Sequence, residues 1–138
     1  MQLFGMTQIQ CAEIGHIVRK YTPDLAPFEE QYKDLHRNPE LGKQEHRTAS
    51  IAAKHLKSLG FEVHEHIGGH GLAGILRCGP GRVVLLRADM DSLVKEEPGL
   101  PYASCAHQKS DAGETIPVMH ACGHDMHVVC MMAMSHIA

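Results

Sequence analysis

The apolar positions near the start of the chain recur at the spacing of helix faces. Four of them, spaced as i, i+3, i+4 and i+7, are Ile14, Ile17, Val18 and Tyr21. They predict a first helix that ends before Thr22-Pro23. A second helix is predicted to begin there, with Thr22 as N-cap and Pro23 at the first helical position, and to end at Asn38-Pro39. One face of this second helix consists of Phe28, Tyr32, Leu35 and His36.

A third helix is predicted from a stripe of small and branched apolar residues. They are Ala49, Ala52, Ala53, Leu56 and Leu59. Gly60 follows them directly, where a left-handed residue commonly ends a helix.

Strand-like segments come next. The segment 61–64 alternates apolar and polar residues, and 72–76 is a short apolar run after the Gly68-Gly69 turn. The continuous apolar run 83–86 is typical of a strand covered on both faces. The tight turn at 79–81 predicts that 72–76 and 83–86 pair as a hairpin.

The pattern becomes irregular after Asp91, through Pro98, Pro101 and Pro117, and predicts a long loop. A last helix is predicted to begin near Asp125. Its apolar residues are Val128, Val129, Met131, Met132, Met134 and Ile137, which surround the helix and predict burial on every side. The alternation of helices and strands indicates an α/β fold.

Composition narrows the class of function. The 138 residues carry a net charge of −3, with 13 basic residues spread along the chain, which argues against a nucleic-acid partner. No apolar run is long enough to span a membrane. The first eight residues do not resemble a signal peptide, and the odd number of cysteines disfavours a disulfide framework, so we expect a cytoplasmic protein. The cysteines are Cys11, Cys78, Cys105, Cys122 and Cys130.

The segment His120–His127 holds the densest chemistry. A thiol, three imidazoles and a carboxylate fall within eight residues at a predicted loop-to-helix junction. Cys122 and His124 flank a glycine, and thiolate with imidazole suits Zn²⁺, Co²⁺ or Ni²⁺, and Mn²⁺ less readily. Asp125 could cap the helix, orient a histidine or bind metal itself.

Two other interpretations of this segment stay open. Cys122 could be a small buried hydrophobic residue beside solvated histidines. It could also be a nucleophile whose pKa is lowered by the helix N-terminus and the imidazoles. Metal binding is favoured over both, because a thiol and three imidazoles are crowded together and no separately placed base is evident.

A second candidate site lies at 86–91, where a predicted strand ends in Asp89 and Asp91. Ligands gather at the ends of strands in open α/β sheets. In extended geometry both carboxylates point to the same side, so both could face one cation, or one could orient a ligand that the other holds. A solvated strand end is the alternative.

Other motifs give weaker signals. Residues 35–41 with 44–45 look like a helix end with ordinary surface charges, and the carboxylate pair Glu96-Glu97 lies in a proline-flanked loop where solvation is expected. The methionines of the last helix are expected in the core. His64, His66 and His70 could form a second weak metal patch, although strand alternation explains the first two.

Four strings, in order, resemble the peptidase M20 family from about Tyr32 to the last residue. They are 35–41 (LHRNPEL), 87–91 (RADMD), 99–104 (GLPYAS) and 119–125 (MHACGHD). The similarity is to the amidohydrolase branch, which contains aminoacylases, hippurate hydrolases and indole-acetyl-amino-acid hydrolases.

The resemblance implies a zinc-exopeptidase-like catalytic domain, with helices flanking a mixed β-sheet and a two-metal site. It implies hydrolysis of the amide bond of an N-acyl amino acid. Cys122 and His124 correspond to metal ligands, Asp91 to an orienting aspartate, and Asp89 to a position where related peptidases have a histidine ligand. Asp125 is a further candidate ligand.

The resemblance also implies a truncated catalytic domain. Residues 1–31 would be a helical extension and 32–138 the N-terminal part, with the general-base glutamate, the remaining ligands and the lid outside the sequence. Glu96-Glu97 precedes the cysteine motif, whereas the family's glutamate pair follows it. We therefore expect the isolated chain to be inactive. The alternative is a non-enzymatic metal-binding or interaction module completed by a partner, including a homo-oligomer.

Overall fold

A computed structural model describes residues 8–95 and 99–136 of the chain. The helices there are α1 (Gln8–Tyr21), α2 (Ala26–Arg37), α3 (His46–Ser58) and α4 (His124–Ser135). The strands are β1 (Glu62–Ile67), β2 (Gly71–Ile75), β3 (Leu93–Val94), β4 (His107–Lys109) and β5 (Thr115–Met119). None of these helices combines the length and apolar character needed to cross a membrane.

The strands form two small antiparallel sheets. β1 and β2 make a hairpin, with a bulge between His64 and Ile67, and the second sheet has the order β3-β5-β4. An isolated parallel bridge joins Leu41 to Ser92. Helices beside these sheets confirm the predicted α/β class.

The core lies between α2 and α4. Its buried members are Leu35, Val128, Val129 and Met132. Partly buried residues that pack against them are Phe28, Tyr32, Ile51, Ala88, Met90 and Met131. Each fully buried aliphatic side chain contributes roughly 1.5–3 kcal/mol relative to an exposed one, so this contact holds the two helices together.

The end of α3 matches the prediction made from Gly60. Gly60 has a φ of +84°, and its N–H donates to the carbonyl of Lys57 at 3.1 Å. The N–H of Phe61 donates to the carbonyl of Leu56, also at 3.1 Å. This pair of bonds is the Schellman arrangement, which satisfies the last carbonyls and turns the chain into β1.

The start of α2 differs from the prediction. The helix begins at Ala26, after an N-cap at Leu25, and not after Thr22. The Thr22 hydroxyl instead donates back to the carbonyl of Val18 at 2.6 Å, where it satisfies the end of α1. Asp24 accepts the N–H of Ala26 at 3.1 Å, so the aspartate and not the threonine satisfies a free donor at the start of α2.

The predicted strand at 83–86 is wrong, and so is its hairpin with 72–76. Residues 77–91 contain no strand, and Val83, Val84 and Leu85 are 96%, 81% and 88% exposed. The Gly68-Gly69 turn pairs β2 with β1 instead, through positive φ at both glycines. A strand covered on both faces needs neighbouring strands and covering helices, and among the described residues none pairs with 83–86.

Two further expectations are corrected in part. The segment after Asp91 is not wholly irregular, because it contributes β3, β4 and β5. α4 is buried on one side only, because Met126 and Met134 are 44% and 50% exposed and Cys130 is exposed between them. Ile137, predicted to extend this helix, and Glu96-Glu97 lie outside the described residues.

Candidate metal centre

The loop before α4 carries the two candidate ligands from the cysteine motif. Gly123 adopts a φ of +76° directly before the helix, a left-handed conformation that is costly for residues with a Cβ. Cys122 precedes this glycine and is exposed, and His124 is the first residue of α4. The glycine therefore sets how the thiol and the imidazole leave the backbone on either side of the turn.

His124 is held by Asp91. Its Nδ1 lies 3.0 Å from Oδ1 of Asp91 and 2.9 Å from the carbonyl oxygen of the same residue. Because both neighbours are acceptors, Nδ1 is the nitrogen that donates to them, and Nε2 is the nitrogen whose lone pair can bind a metal ion. A metal-binding histidine has this arrangement, in which a carboxylate or carbonyl fixes the ring through the other nitrogen.

Asp89 lies in the same cleft as Asp91 but has a different partner. The guanidinium of Arg87 donates to its Oδ1. The cleft has a volume of about 310 Å³. It is lined by Lys43, Glu45, Ile67, Gly68, His70, Gly71, Ala88, Asp89, Met90 and Asp91. The two aspartates predicted to share one side thus do line one cleft, with the Asp89 carboxylate engaged by an arginine.

Asp125 is directed away from solvent and towards α2. It is 1% exposed, and its Oδ2 lies 2.6 Å from Nδ1 of His36. Its Oδ1 accepts the N–H of Met126 at 2.9 Å. Of the three roles suggested for Asp125 by the sequence, these contacts match the orientation of a histidine and the satisfaction of a donor in the first turn of α4.

The environment of residues 35–41 contradicts their interpretation as ordinary surface charges. His36 is 6% exposed and Glu40 is 9% exposed. The rings of Tyr32 and Tyr102 lie 5.5 Å and 5.4 Å from the ring of His36, centroid to centroid. The apolar face predicted for α2 already included His36, and that placement was the signal that this histidine is buried.

Glu40 fixes the start of α3. Its two carboxylate oxygens accept the N–H groups of Arg47 and Thr48, each at 2.8 Å, and Oε2 also accepts the Thr48 hydroxyl at 2.9 Å. A carboxylate at a helix N-terminus satisfies free donors and complements the helix dipole. The backbone carbonyl of Glu40 accepts the N–H of Ser92 at 2.8 Å. Glu40 therefore also connects α3 to the segment that carries Asp91.

His120 is buried beside this centre. It is 5% exposed, and neither ring nitrogen has a hydrogen-bond partner among the described residues. Burial lowers its pKa, and the negative charge of Asp125 opposes that shift in part. The imidazole is therefore favoured in its neutral form, and its unpaired nitrogens are an unsatisfied polar site next to Cys122.

The described residues do not contain a complete cage. Within 8–95 and 99–136, no group of three or more potential ligands is gathered around one point. The structure brings together Asp91 and His124, and separately His36 and Asp125. The donor set suits a divalent ion in chemistry, with a thiol, an imidazole oriented through Nδ1 and nearby carboxylates, but it is incomplete in number.

Comparison with known proteins decides the family. No family model matches the chain. The hippurate hydrolase of Campylobacter jejuni is 43% identical over 107 residues, which are 76% of this chain and 26% of that protein. The solved structure of the Bacillus subtilis YXEP protein, described as a dinuclear metal binding peptidase from the M20 family, matches with 30% identity and a TM-score of 0.64. The chain belongs to the peptidase M20 family.

The match covers most of this chain and a minor part of each M20 relative. The N-acyl-L-amino acid amidohydrolase of Geobacillus stearothermophilus is 34% identical over 127 residues, which are 91% of this chain and 31% of that protein. The YXEP structure aligns with 80% of this chain, which corresponds to 30% of its own. The chain thus spans between a quarter and a third of the length of these M20 proteins, and the predicted resemblance to the amidohydrolase branch is confirmed.

Proposed function

We propose that this chain supplies the cysteine–histidine part of an M20 metal centre in a metal-dependent amidohydrolase that hydrolyses N-acyl amino acids or related amides. The activity of the whole M20 protein is proposed from relatives named for hippurate and N-acyl amino acids. The observation that carries the proposal is the contact between His124 Nδ1 and Asp91, which leaves Nε2 available as a ligand.

The roles proposed for the residues follow from their contacts. Cys122 and His124 bind the cation, the former as a thiolate that contributes negative charge. Asp91 holds the His124 ring in one orientation and one tautomer. Asp89 lines the cleft and is a further candidate ligand once its carboxylate leaves Arg87. Asp125 acts through His36, which fixes the position of α4.

A divalent metal in this centre, which we propose to be Zn²⁺, Mn²⁺, Co²⁺ or Ni²⁺ with two ions in the complete site, would polarise an amide carbonyl and lower the pKa of a bound water. This chain's own part is to supply the thiolate and the imidazole, to keep His120 neutral beside them, and to shape the cleft next to Asp89 and Asp91. The general base and the remaining ligands are proposed to come from polypeptide outside these 138 residues.

Metal affinity tests the ligand assignment directly. When Zn²⁺ is titrated into the 138-residue chain, one ion per chain should bind at this centre. Cys122→Ser should abolish the binding of this ion. Asp91→Asn should weaken it by about 10- to 100-fold, the usual cost of losing a carboxylate behind a ligating histidine. Unchanged affinity in both variants would contradict the assignment.

A chimera tests the chemistry. The 107 residues that match the hippurate hydrolase of Campylobacter jejuni would replace the corresponding stretch of that enzyme. Metal-dependent hydrolysis of hippurate by the chimera, lost in its Cys122→Ser variant and kept in its Cys130→Ser variant, is the expected result. A folded chimera that binds metal and does not hydrolyse hippurate would refute the proposed amidohydrolase function of this segment.

A non-enzymatic interaction module is the second candidate, and one observation favours it. Apolar side chains are exposed at 83–86 and along one side of α4, at Met126 and Met134. Light scattering after size exclusion would separate the candidates. A 15.2 kDa monomer that binds metal favours the enzyme segment, and a stable homo-oligomer favours the module.

Three finer assignments remain proposals. We propose that 1–31 form a helical extension and 32–138 a part of the catalytic domain. The cytoplasmic location stays a prediction from the cysteine content, and the absence of a nucleic-acid or membrane partner stays a prediction from the charge and hydropathy of the sequence.

A further inference from the structure

A second group of imidazoles lies outside the proposed M20 centre. His46 is the first residue of α3, and His70 lies in the turn between β1 and β2. Their ring centroids are 3.7 Å apart, with the ring planes inclined at 49°. The two histidines are separated by 24 positions in sequence and belong to different elements, so the fold brings them into contact.

The two rings open onto a pocket of about 230 Å³. It is lined by His46, Ala49, Ser50, Glu65, His66, His70 and Leu72. His46 and His66 are exposed and His70 is half-buried, so ions from solvent reach the pocket. No ion pair or hydrogen bond occupies the ring nitrogens of His46 or His70 within the described parts of the chain.

The bulge in β1 is what places His66 at this pocket. The register of the hairpin shifts between His64 and Ile67, and His66 has a φ of +64°, which is unusual for a residue with a Cβ. Bulges redirect side chains. His64, two residues earlier, instead lies 3.0 Å from Oε1 of Glu62 and does not line the pocket. His64 and His66 are both exposed residues of β1, as predicted for the surface of a strand, and the bulge gives them different surroundings.

The charge around the pocket is mixed. Glu65 lines it, and the ammonium of Lys57 donates to this carboxylate. The positive form of His66 also acts on Glu65 electrostatically. With one carboxylate already paired to a lysine, the pocket carries no strong excess of either sign, and the imidazole lone pairs are its main means of binding a ligand.

We propose that His46 and His70 form a two-imidazole site for a transition-metal ion, separate from the centre at Cys122 and His124. Two neutral imidazoles present lone pairs that Ni²⁺, Cu²⁺ and Zn²⁺ accept, and affinity for such ions follows the Irving–Williams order. Two imidazoles that bind one ion through nitrogens at about 2.0–2.1 Å have ring centres farther apart than the 3.7 Å seen here, so the exposed ring of His46 rotates outward when the ion binds. No three ligands are gathered around one point in the described residues, so water completes the coordination of the ion. The ion joins the start of α3 to the hairpin turn.

This site has a structural consequence for the cleft at Asp89 and Asp91. His70 lines both the imidazole pocket and that cleft. An ion held by His46 and His70 therefore fixes one wall of the cleft against α3. The glycines of the turn, Gly68 and Gly69, adopt positive φ, and a Cβ added at either position would meet no atom within 4 Å.

The test uses NiCl₂ with the full chain carrying Cys122→Ser, which removes the proposed M20 equivalent. At pH 8, calorimetric titration should show one saturable Ni²⁺ equivalent, and His46→Ala or His70→Ala should weaken it at least tenfold. His64→Ala is the matched control, because this histidine is on the same hairpin and outside the pocket, and it should leave the affinity unchanged. Paramagnetic broadening by Ni²⁺ should remove the ring signals of His46 and His70 before those of His64.

Three results would overturn the proposal. They are the absence of a saturable equivalent in the Cys122→Ser chain, equal affinity in the His46, His70 and His64 variants, and broadening that begins at His64. If His70→Ala changes the far-ultraviolet circular dichroism, His70→Gln replaces it and should give the same tenfold loss. Because the measurement is made without the thiol, its failure leaves the amidohydrolase proposal untouched.

Discussion

The Nδ1 atom of His36 lies 2.6 Å from Oδ2 of Asp125, across 89 positions of sequence. His36 is in the last turn of α2, and Asp125 is in the first turn of α4. Both side chains are almost completely buried, at 6% and 1% exposure. The pair thus connects the helix that precedes Asn38-Pro39 to the helix that carries His124.

Breaking this pair should destabilise the fold strongly. Asp125→Asn and His36→Ala each disrupt a buried hydrogen bond to a carboxylate, and hydrogen bonds to charged groups contribute about 1.5–3 kcal/mol. Asp34→Asn is the control, because Asp34 makes a half-exposed bridge with Arg47, and such pairs contribute about 0–1 kcal/mol. Urea unfolding followed by circular dichroism measures all three.

The double variant refines this prediction. If His36 and Asp125 stabilise the fold through their mutual contact, the double variant should lose less unfolding free energy than the two single variants lose in sum. Additive losses, or single losses as small as that of Asp34→Asn, would show that the contact contributes little to the α2–α4 packing.

The carboxylate of Glu40 gives a second prediction. Glu40→Ala removes three hydrogen bonds to a carboxylate acceptor. Because one such bond contributes about 1.5–3 kcal/mol, the free energy of unfolding should fall by at least that amount. Glu45→Ala is the matched control. Glu45 occupies the N-cap position of α3, but its side chain makes no capping bond, so its replacement should change the unfolding free energy by about 0.5 kcal/mol or less. Equal losses would contradict the assignment of the cap to Glu40.

Packing between α3 and the hairpin can be tested at Gly74. A Cβ there would lie 2.9 Å from Cδ1 of Leu56 and 3.3 Å from Cδ1 of Phe61. Because Leu56 is buried, Gly74→Val should overpack this contact and cost about 1–3 kcal/mol. Gly81→Ala has open space and should be neutral or slightly stabilising. A thermal unfolding midpoint that is unchanged in Gly74→Val would show that β2 does not pack against α3 in this way.

The ion pair of Lys57 and Glu65 predicts a specific pH dependence. The hydrogen bond from Lys57 lowers the pKa of Glu65 below its ordinary value of 4.5. Because the pKa is lower in the folded chain, the unfolded chain binds the proton first as the pH falls. The contribution of the ion pair to stability is therefore present above pH 4.5 and is lost as the pH falls through the lowered pKa. The side chains are exposed, so the effect on stability is small and should decrease further in high salt.

Nuclear magnetic resonance titration of the Glu65 carboxyl carbon measures this pKa directly. Lys57→Met should raise it towards 4.5, whereas Lys54→Met, on the same helix, should leave it unchanged. A Glu65 titration that does not respond to Lys57→Met would contradict the pairing.

The sequence predicted most helices well, because the spacing of apolar residues and the residues that end a helix are local features of the chain. The stripe in α3 and the glycine after it were sufficient to predict both the helix and its left-handed end at Gly60. The start of α2 was wrong by a few residues, because Thr22 had two available partners and bonded back to Val18. Such competition between local hydrogen bonds cannot be decided from the order of residue types alone.

Long-range relationships were the part that sequence could not supply. The run 83–86 has the composition of a buried strand, but its burial depends on neighbouring strands that the described residues do not provide. The partner of His36 lies 89 positions away, so the sequence could place His36 on the apolar face of α2 but could not supply its contact with Asp125. By contrast, the motif around Cys122 and the pair Asp89 and Asp91 were identified as chemistry, and the contact of Asp91 with His124 supports the proposed link between them.

The most direct test of the account is the absorption spectrum of the chain with Co²⁺. If Cys122 and His124 bind the same ion, one equivalent of Co²⁺ should produce a sulfur-to-cobalt charge-transfer band that persists in Cys130→Ser, disappears in Cys122→Ser and weakens in His124→Ala. A chain that produces no such band, or one that keeps its full intensity in Cys122→Ser, would contradict the proposed metal centre.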